Sequence, residues 1–392
     1  MAKSAHPFLK LLLGALVTVT PFSIDMYLPA FPQMAQDLGT TVPGISLSLS
    51  SYFIGIALGQ LAYGPLLDRF GRKRPLYIGL TAYLIATLAC ASARTLDSLI
   101  AFRFLQALGG CAASVGSTAM VRDFFPAQER AKVFSQLMLI LSVSPMLAPT
   151  VGSWITITWH WPAVFITLAL IVLAILAVSF SFLPEGHRAD ATISIHPRGV
   201  AREYWNILRK PQFLTYAVTG GLCFAGLFVY LAGSSALFMD TFQLDARAFG
   251  MLFAALSVGV IGGGQFNILL SRWFKSTQIF RTAVTTQVVL AAIFLLVTST
   301  VALGLTAHVV FLFAYLSCIG LVMPNASALS IAPFDRTTGS AAALLGFLQM
   351  GTGAVSSAIY SRLSLPPRIA LGSLFLATSG LGAVLFWSRR EG

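Results

Sequence analysis

The chain has 392 residues, of which 57% are apolar and only 10% charged, where a soluble domain carries about 25% charged residues. That leaves too little polar surface to solvate a globule, so lipid is the expected solvent and a water-soluble enzyme is excluded. The net charge of +12 would point to nucleic acid in a soluble protein, but here the basic residues fall at the ends of apolar stretches.

Those stretches predict twelve membrane spans, each near the ~20 apolar residues that a ~30 Å hydrocarbon core asks of a helix. Six occupy the first half, at 8–31, 44–64, 75–93, 96–119, 133–154 and 161–183, and six the second, at 213–238, 248–270, 280–299, 302–328, 340–360 and 369–387. With the N-terminus inside, the cytoplasmic segments collect 20 of the 25 basic residues, and the outer ones hold only Arg94, Arg247, Arg362 and Arg368. The positive-inside rule therefore puts both termini in the cytoplasm. The first span follows Lys10 as a signal peptide would, yet its apolar run is too long and no small-residue cleavage pattern follows.

Along the chain, the first span carries Asp25, the one acidic residue well inside a span, and the fourth carries Arg103, the one basic residue so placed. At 1.5 Å per residue they lie roughly 9 and 10 Å from the outer ends of their helices, at similar depth. An ionised group there costs several kcal/mol and needs a partner or a watery cavity. Leaving water disfavours the Asp25 charge and a nearby cation favours it. A carboxyl under that tension is suited to bind and release a proton; the alternative is a static ion pair pinning span one to span four.

After the second span comes Gly64-Pro-Leu-Leu-Asp68-Arg69-Phe-Gly71-Arg72-Lys73-Arg74, read as a loop, and after the eighth Asn267-Ile-Leu-Leu-Ser271-Arg272-Trp-Phe-Lys275. From Gly64 to Asn267 the offset is 203 residues, which divides the chain into a six-helix bundle at 1–184, a polar cytoplasmic linker at 185–211 and a second bundle at 212–392. The offset carries Asp25 to Phe228 and Arg103 to Thr306, so neither charge is duplicated. Gln106, Asn325 and Gln349 are further polar residues in spans, and Tyr27, Tyr52, Phe224, Phe228 and Tyr230 are candidates for an aromatic substrate surface. For each, interhelical bonding or packing is the alternative. Cys90, Cys111, Cys223 and Cys318 lie within spans without metal spacing and read as buried thiols. His308 is the one histidine in a span, and no clustered ligands or nucleophile and base suggest an enzyme.

These residues resemble the major facilitator superfamily, specifically its bicyclomycin and chloramphenicol resistance (Bcr/CflA) branch of drug:proton antiporters. The segment from Gly64 to Arg74 is similar to the superfamily's signature between helices two and three. The resemblance implies that Asp68 faces the start of the eleventh helix near Thr338 to Ser340, and that Arg72 meets Asp123 beneath the fourth. With Arg69 and Gly71 these would form a latch on the inner side. Arg103-Phe-Leu-Gln106-Ala-Leu-Gly109-Gly110 resembles the family's buried-arginine motif, and Ser23-Ile-Asp25-Met-Tyr27-Leu-Pro29 the branch signature that places the proton site at Asp25. In span five, Pro145-Met-Leu-Ala148-Pro149-Thr-Val-Gly152-Ser153 is similar to the antiporter motif, with Ala148 and Ser153 in place of two glycines.

The resemblance implies an all-α membrane protein of the major facilitator fold. It also implies a monomeric drug:proton antiporter of the bacterial inner membrane, exporting small lipophilic compounds. No cofactor or nucleic acid is expected, only substrate, protons and membrane lipids. A proton-coupled exporter of a metabolite such as a nucleoside, sugar or amino acid is the alternative.

Overall fold

A computed structural model describes residues 6–184, 197–301, 303–334 and 338–388. Within lipid every backbone donor and acceptor must be paired internally, and the spans are accordingly helical. The first span is α1 (His6–Asp25), a 3₁₀ turn (Leu28–Ala30) and α2 (Phe31–Asp37). The rest of the first half is α3 (Val42–Phe70), α4 (Lys73–Ala91), α5 (Leu96–Phe124), α6 (Ala127–Trp159) and α7 (Pro162–Phe182). A linker helix, α8 (Pro197–Leu208), leads to α9 (Pro211–Ser235), whose last turns loosen into a π-helix over Ala236–Thr241. Then come α10 (Ala246–Leu270), α11 (Ser276–Thr300), α12 (Leu305–Ile331), α13 (Thr338–Arg362) and α14 (Pro367–Ser388). Among the described residues twelve spans are long and apolar enough to cross a membrane, and the protein is a multi-pass membrane protein.

Some helix bounds recur near the 203-residue offset read from one pair of segments. Adding 203 to Val42–Phe70 gives 245–273, over Ala246–Leu270, and adding it to Pro162–Phe182 gives 365–385, over Pro367–Ser388.

Three expectations change. The first span is not one helix, because Pro29 cannot donate to the Asp25 carbonyl four residues earlier and its ring crowds it, so α1 stops at Asp25. Residues 64–70 are not a loop but the last turns of α3; the turn is confined to Gly71, whose φ of 80° suits glycine, and Arg72. Part of the polar linker is a helix: in α8, Ile207 is buried and Tyr204 and Leu208 pack with it against α13, while Arg202 and Trp205 face outward. Residues 185–196 of the linker lie outside the described residues.

We call the end where α3 meets α4 the basic end and the other the far end. At the far end a single apolar core draws on both halves, from Met26, Phe31 and Phe53 to Phe228, Phe253 and Leu371. Toward the basic end the cores separate. One belongs to α1, α4, α5, α6 and α7, and another to α9, α11, α12 and α14. A small cluster around Ile207, Phe213 and Leu344, with Leu61 of α3 against it, bridges them.

Hydrogen bonds close the far end across the halves. Ser46 Oγ donates to the Ala232 carbonyl (2.7 Å), Ser50 Oγ to Ser357 Oγ (2.7 Å) and Ser235 Oγ to the Leu28 carbonyl (2.8 Å). The Leu28 carbonyl already accepts the Phe31 N–H that closes the 3₁₀ turn, and because Pro32 has no N–H to add, its second lone pair is left for Ser235. At the basic end Pro65 similarly deprives the Leu61 carbonyl, and the Tyr204 hydroxyl of the linker helix donates to it at 3.3 Å.

Candidate functional site

The break in the first span exposes backbone carbonyls that an unbroken helix would consume. Arg103, fully buried on α5, takes one of them: its Nη2 donates to the Ser23 carbonyl at 2.9 Å. The cation thus sits at the C-terminal, partially negative end of α1. Its Nη1 donates to Gln106 Oε1 (2.5 Å), and Gln106 Nε2 in turn donates to Thr87 Oγ1 (2.8 Å). The rings of Tyr27 and Tyr52 lie 4.3 and 4.1 Å from the guanidinium carbon, with Phe165 at 5.9 Å. Desolvated contacts of this kind are worth ~2 kcal/mol or more. The site therefore carries its cation on ring faces, a carbonyl and an amide.

No ion pair joins Arg103 to Asp25 in this structure; among the described residues Asp25 makes no hydrogen bond or ion pair at all, although it is only 4% exposed.

The backbone beside Asp25 is gripped by the antiporter-like motif of α6. A methyl group on Gly152 would land on the Met26 carbonyl, so only glycine lets α6 come this close. One turn earlier, the backbone of Pro149 and Thr150 packs on Gly250 of α10 in the other half, and Ala148 is buried. Pro145, half-buried, lies a turn further toward the basic end. The motif thus touches the carboxylate-bearing break on one side and the second half on the other.

The latch residues come together in part. Arg72 Nε and Nη2 donate to the two oxygens of Asp123 (2.6 and 3.5 Å), and Nη1 to Asp68 Oδ1 at 2.7 Å. Burial works against the Arg72 charge, but hydrogen bonds and charge from Asp123 and Asp68 hold its pKa above the ordinary value. Arg69 lies over the Phe70 ring. The expected contact of Asp68 is with the start of α13 near Thr338 to Ser340, of which the Thr338 side chain lies outside the described residues.

The substrate-surface candidates scatter. Tyr27 and Gln106 brace Arg103 instead of facing an open cavity. Phe228 stands edge-on to Phe53 of the first half, 4.2 Å between centroids, and to the half-buried Phe224 at 5.0 Å. Tyr230 stacks on Phe253. Asn325 donates to Asn267 of α10 and to the Leu321 carbonyl, the interhelical bond expected as the alternative. Gln349 is buried with its Nε2 unpartnered. The four cysteines are buried free thiols.

Sequence reasoning missed Ser23, Thr87 and Ser235 as parts of this arrangement. Ser235 had a legible signal, the carbonyl freed by Pro32, whereas Thr87 is recognisable only once α4 and α5 are packed.

Comparison with known proteins agrees with this architecture. The family model described as Major Facilitator Superfamily matches residues 13–358. An uncharacterized MFS-type transporter of Bacillus subtilis, YdgK, is 32% identical over 390 residues, covering 97% of this chain and 94% of the relative. A bicyclomycin resistance protein homolog of Haemophilus influenzae is 27% identical, covering 93% and 91%. Among solved structures, a bacterial homologue of the human lysosomal transporter Spinster aligns with a TM-score of 0.78 over 99% of this chain and 97% of that one, at 14% identity.

Proposed function

This chain belongs to the Major Facilitator Superfamily, and from that premise we propose that it is a proton-coupled antiporter exporting small lipophilic compounds by alternating access. It is a transporter and not an enzyme. The observation that carries the reading is Asp25, enclosed and without a donor or cation partner at the break where the two halves meet.

An ionised carboxylate so placed costs several kcal/mol, so the state closed at the far end is one in which Asp25 holds its proton. Opening the far end hydrates the carboxyl and lets it exchange protons with the outside. Substrate and proton each weaken the other's hold across this cycle. By the charge rule the basic end faces the cytoplasm of a bacterial inner membrane, and proton entry from outside drives compound outward. Arg103, enclosed by rings, adds no exposed charge to the path, which suits lipophilic cargo. The resistance protein among its relatives supports a drug-like class.

The test is gradient-driven uptake in inside-out vesicles or proteoliposomes, against a panel of antibiotics and metabolites, with Asp25→Asn alongside. Uptake of a drug-like compound by the native protein and its loss in Asp25→Asn is expected. Gradient-driven uptake that survives Asp25→Asn overturns the role of Asp25. A metabolite carried in place of every drug overturns the substrate class.

A further inference from the structure

The outer face of the second half carries a crevice between α11 and α14, with a volume of about 540 Å³. It is lined by Val288 of α11 and by Gly380 and Ala383 of α14, and Trp387 and Ser388 stand at its basic end. Leu381 and Val384, exposed beside it, mark the face as one that lipid covers. The crevice exists because α14 turns small residues outward here. Gly382 faces the bundle, close to α9, whereas a methyl group on Gly380 would meet nothing within 4 Å. The offset of 203 carries Ala383 to Phe180, whose ring meets Tyr77 at 5.6 Å. The first half thus places a ring where the second leaves room.

The mouth of the crevice is cationic. Trp387 lies in the last turn of α14, at the interfacial depth that tryptophan favours. The Arg281 guanidinium, from the second turn of α11, lies 4.9 Å from a ring centroid of Trp387. Stacking on the ring fixes the cation beside the crevice without neutralising it. No carboxylate on α11, or on α12 and α14 that pack against it, is there to do so. Past α14 the sequence continues with Arg389, Arg390 and Glu391, a further net positive charge. From Arg281 to Val288, and from Trp387 back to Gly380, the helices advance ~10 Å, which fits within the ~15 Å of hydrocarbon in one leaflet.

We propose that this crevice is a site for a phospholipid of the cytoplasmic leaflet with a net negative headgroup, its acyl chain laid over Gly380 and Ala383 and its phosphate on Arg281. Arginine suits the phosphate, because its weakly hydrated, forked guanidinium donates to two phosphate oxygens at once. Basic pockets between membrane helices on the cytoplasmic side take anionic headgroups in this manner. The site lies on the outer face of the second half and does not depend on the reading of Asp25 as the proton site.

The test is native mass spectrometry of the full-length protein released from nanodiscs of palmitoyl-oleoyl phosphatidylglycerol and phosphatidylcholine in equal amounts, lipids that differ only in headgroup. The native protein is expected to retain phosphatidylglycerol in preference to phosphatidylcholine. Arg281→Gln should lower that preference about fivefold, the value of one basic group near an anionic surface. Arg272→Gln removes an exposed charge from the same end of the same bundle and should leave the preference within about twofold, as a charge outside the pocket. Gly380→Leu fills the crevice without a clash and should abolish the retained lipid, whichever its headgroup. Arg281 is exposed, so its comparison with Arg272 does not depend on how Gly380→Leu folds.

Equal losses in Arg272→Gln and Arg281→Gln would mean that the preference comes from the basic surface at large, and overturn the site. Equal retention of the two lipids by the native protein overturns the headgroup assignment. Phosphatidylglycerol retained undiminished by Gly380→Leu overturns the crevice as its seat. A dimer of the native protein that Gly380→Leu abolishes would mean that a second copy fills the crevice, and also overturns the inference.

Discussion

In the first half, prolines interrupt the helices that face the second half. Pro29 and Pro32 break the first span, Pro65 lies inside α3, and Pro145 and Pro149 lie inside α6. In the second half, α9 runs unbroken to Ser235, and among the described helices only α12 carries an internal proline, Pro324. The same repeat offset carries Pro32 to Ser235, the residue whose hydroxyl takes the carbonyl that Pro32 leaves open. Helix bounds recur near the 203-residue offset, but the residues at matching positions differ in chemistry. The first half holds Asp25 and Arg103, while at the far end hydroxyls reach across in both directions, Ser46 to the Ala232 carbonyl and Ser235 to the Leu28 carbonyl.

The sharpest way to break that comparison is at Gly152. Its counterpart at the offset is Val355, which is 60% exposed, so the second half has no equivalent of the grip on Met26. Gly152→Ala must push α6 off the Met26 carbonyl and displace Asp25 with it. Gradient-driven transport should fall more than about tenfold, since an ångström of displacement at a coupling site is costly, while Val355→Ala stays within about twofold. Similar losses at both positions, measured in the same vesicles at matched protein levels, would show that the halves are not specialised in this way.

Much of this division was legible beforehand. One pair of segments supplied the offset that relates the halves, and Asp25 and Arg103 stood out as lone charges in apolar spans. Their surroundings were not legible. The rings around Arg103 come from the first span, α3 and α7, and hydropathy does not say which faces of three helices converge. An ion pair was the natural expectation for two charges at one depth, yet the end of α1 and the tyrosine faces take the cation instead. Residues 64–70 read as a loop because Pro65 and Gly71 are breakers in water. At a membrane surface the helix continues to Gly71, and the one carbonyl that Pro65 orphans is met from the linker. Every span proline frees a carbonyl four residues earlier, but nothing in the sequence names the hydroxyl that takes it.

A smaller effect is expected at the Arg72 latch. Arg72 is buried between Asp123, whose side chain is 14% exposed, and Asp68, at 48%. At the offset these become Lys275, Ala326 and Ser271, with no carboxylate. Arg72→Ala leaves Asp123 without its charge partner and should destabilise the protein by about 2 kcal/mol, mostly through Asp123, since the exposed Asp68 contact is worth little. Lys275→Ala should cost less than about 0.5 kcal/mol on the scale of ordinary surface changes. Thermal unfolding in detergent compares the two, and equal losses would mean that the latch does not distinguish the halves.

The smallest effect isolates the proline rule itself. If Tyr204 is held to α3 because Pro65 leaves the Leu61 carbonyl unmet, then Tyr204→Phe should cost about 0.5–1 kcal/mol, the net worth of one hydrogen bond. Pro65→Ala should restore an N–H to that carbonyl and lower the value of the tyrosine hydroxyl. In the Pro65→Ala background, Tyr204→Phe should therefore cost close to nothing, and the double-mutant cycle should return nearly the whole single-mutant effect as coupling. Additive losses would mean that Tyr204 is held by its ring among Ile207, Leu208 and Leu61, and that the freed carbonyl is incidental. Coupling at Leu61 would extend to the basic end the pattern seen at Leu28, where a proline of the first half opens a carbonyl and a hydroxyl from beyond that half closes it.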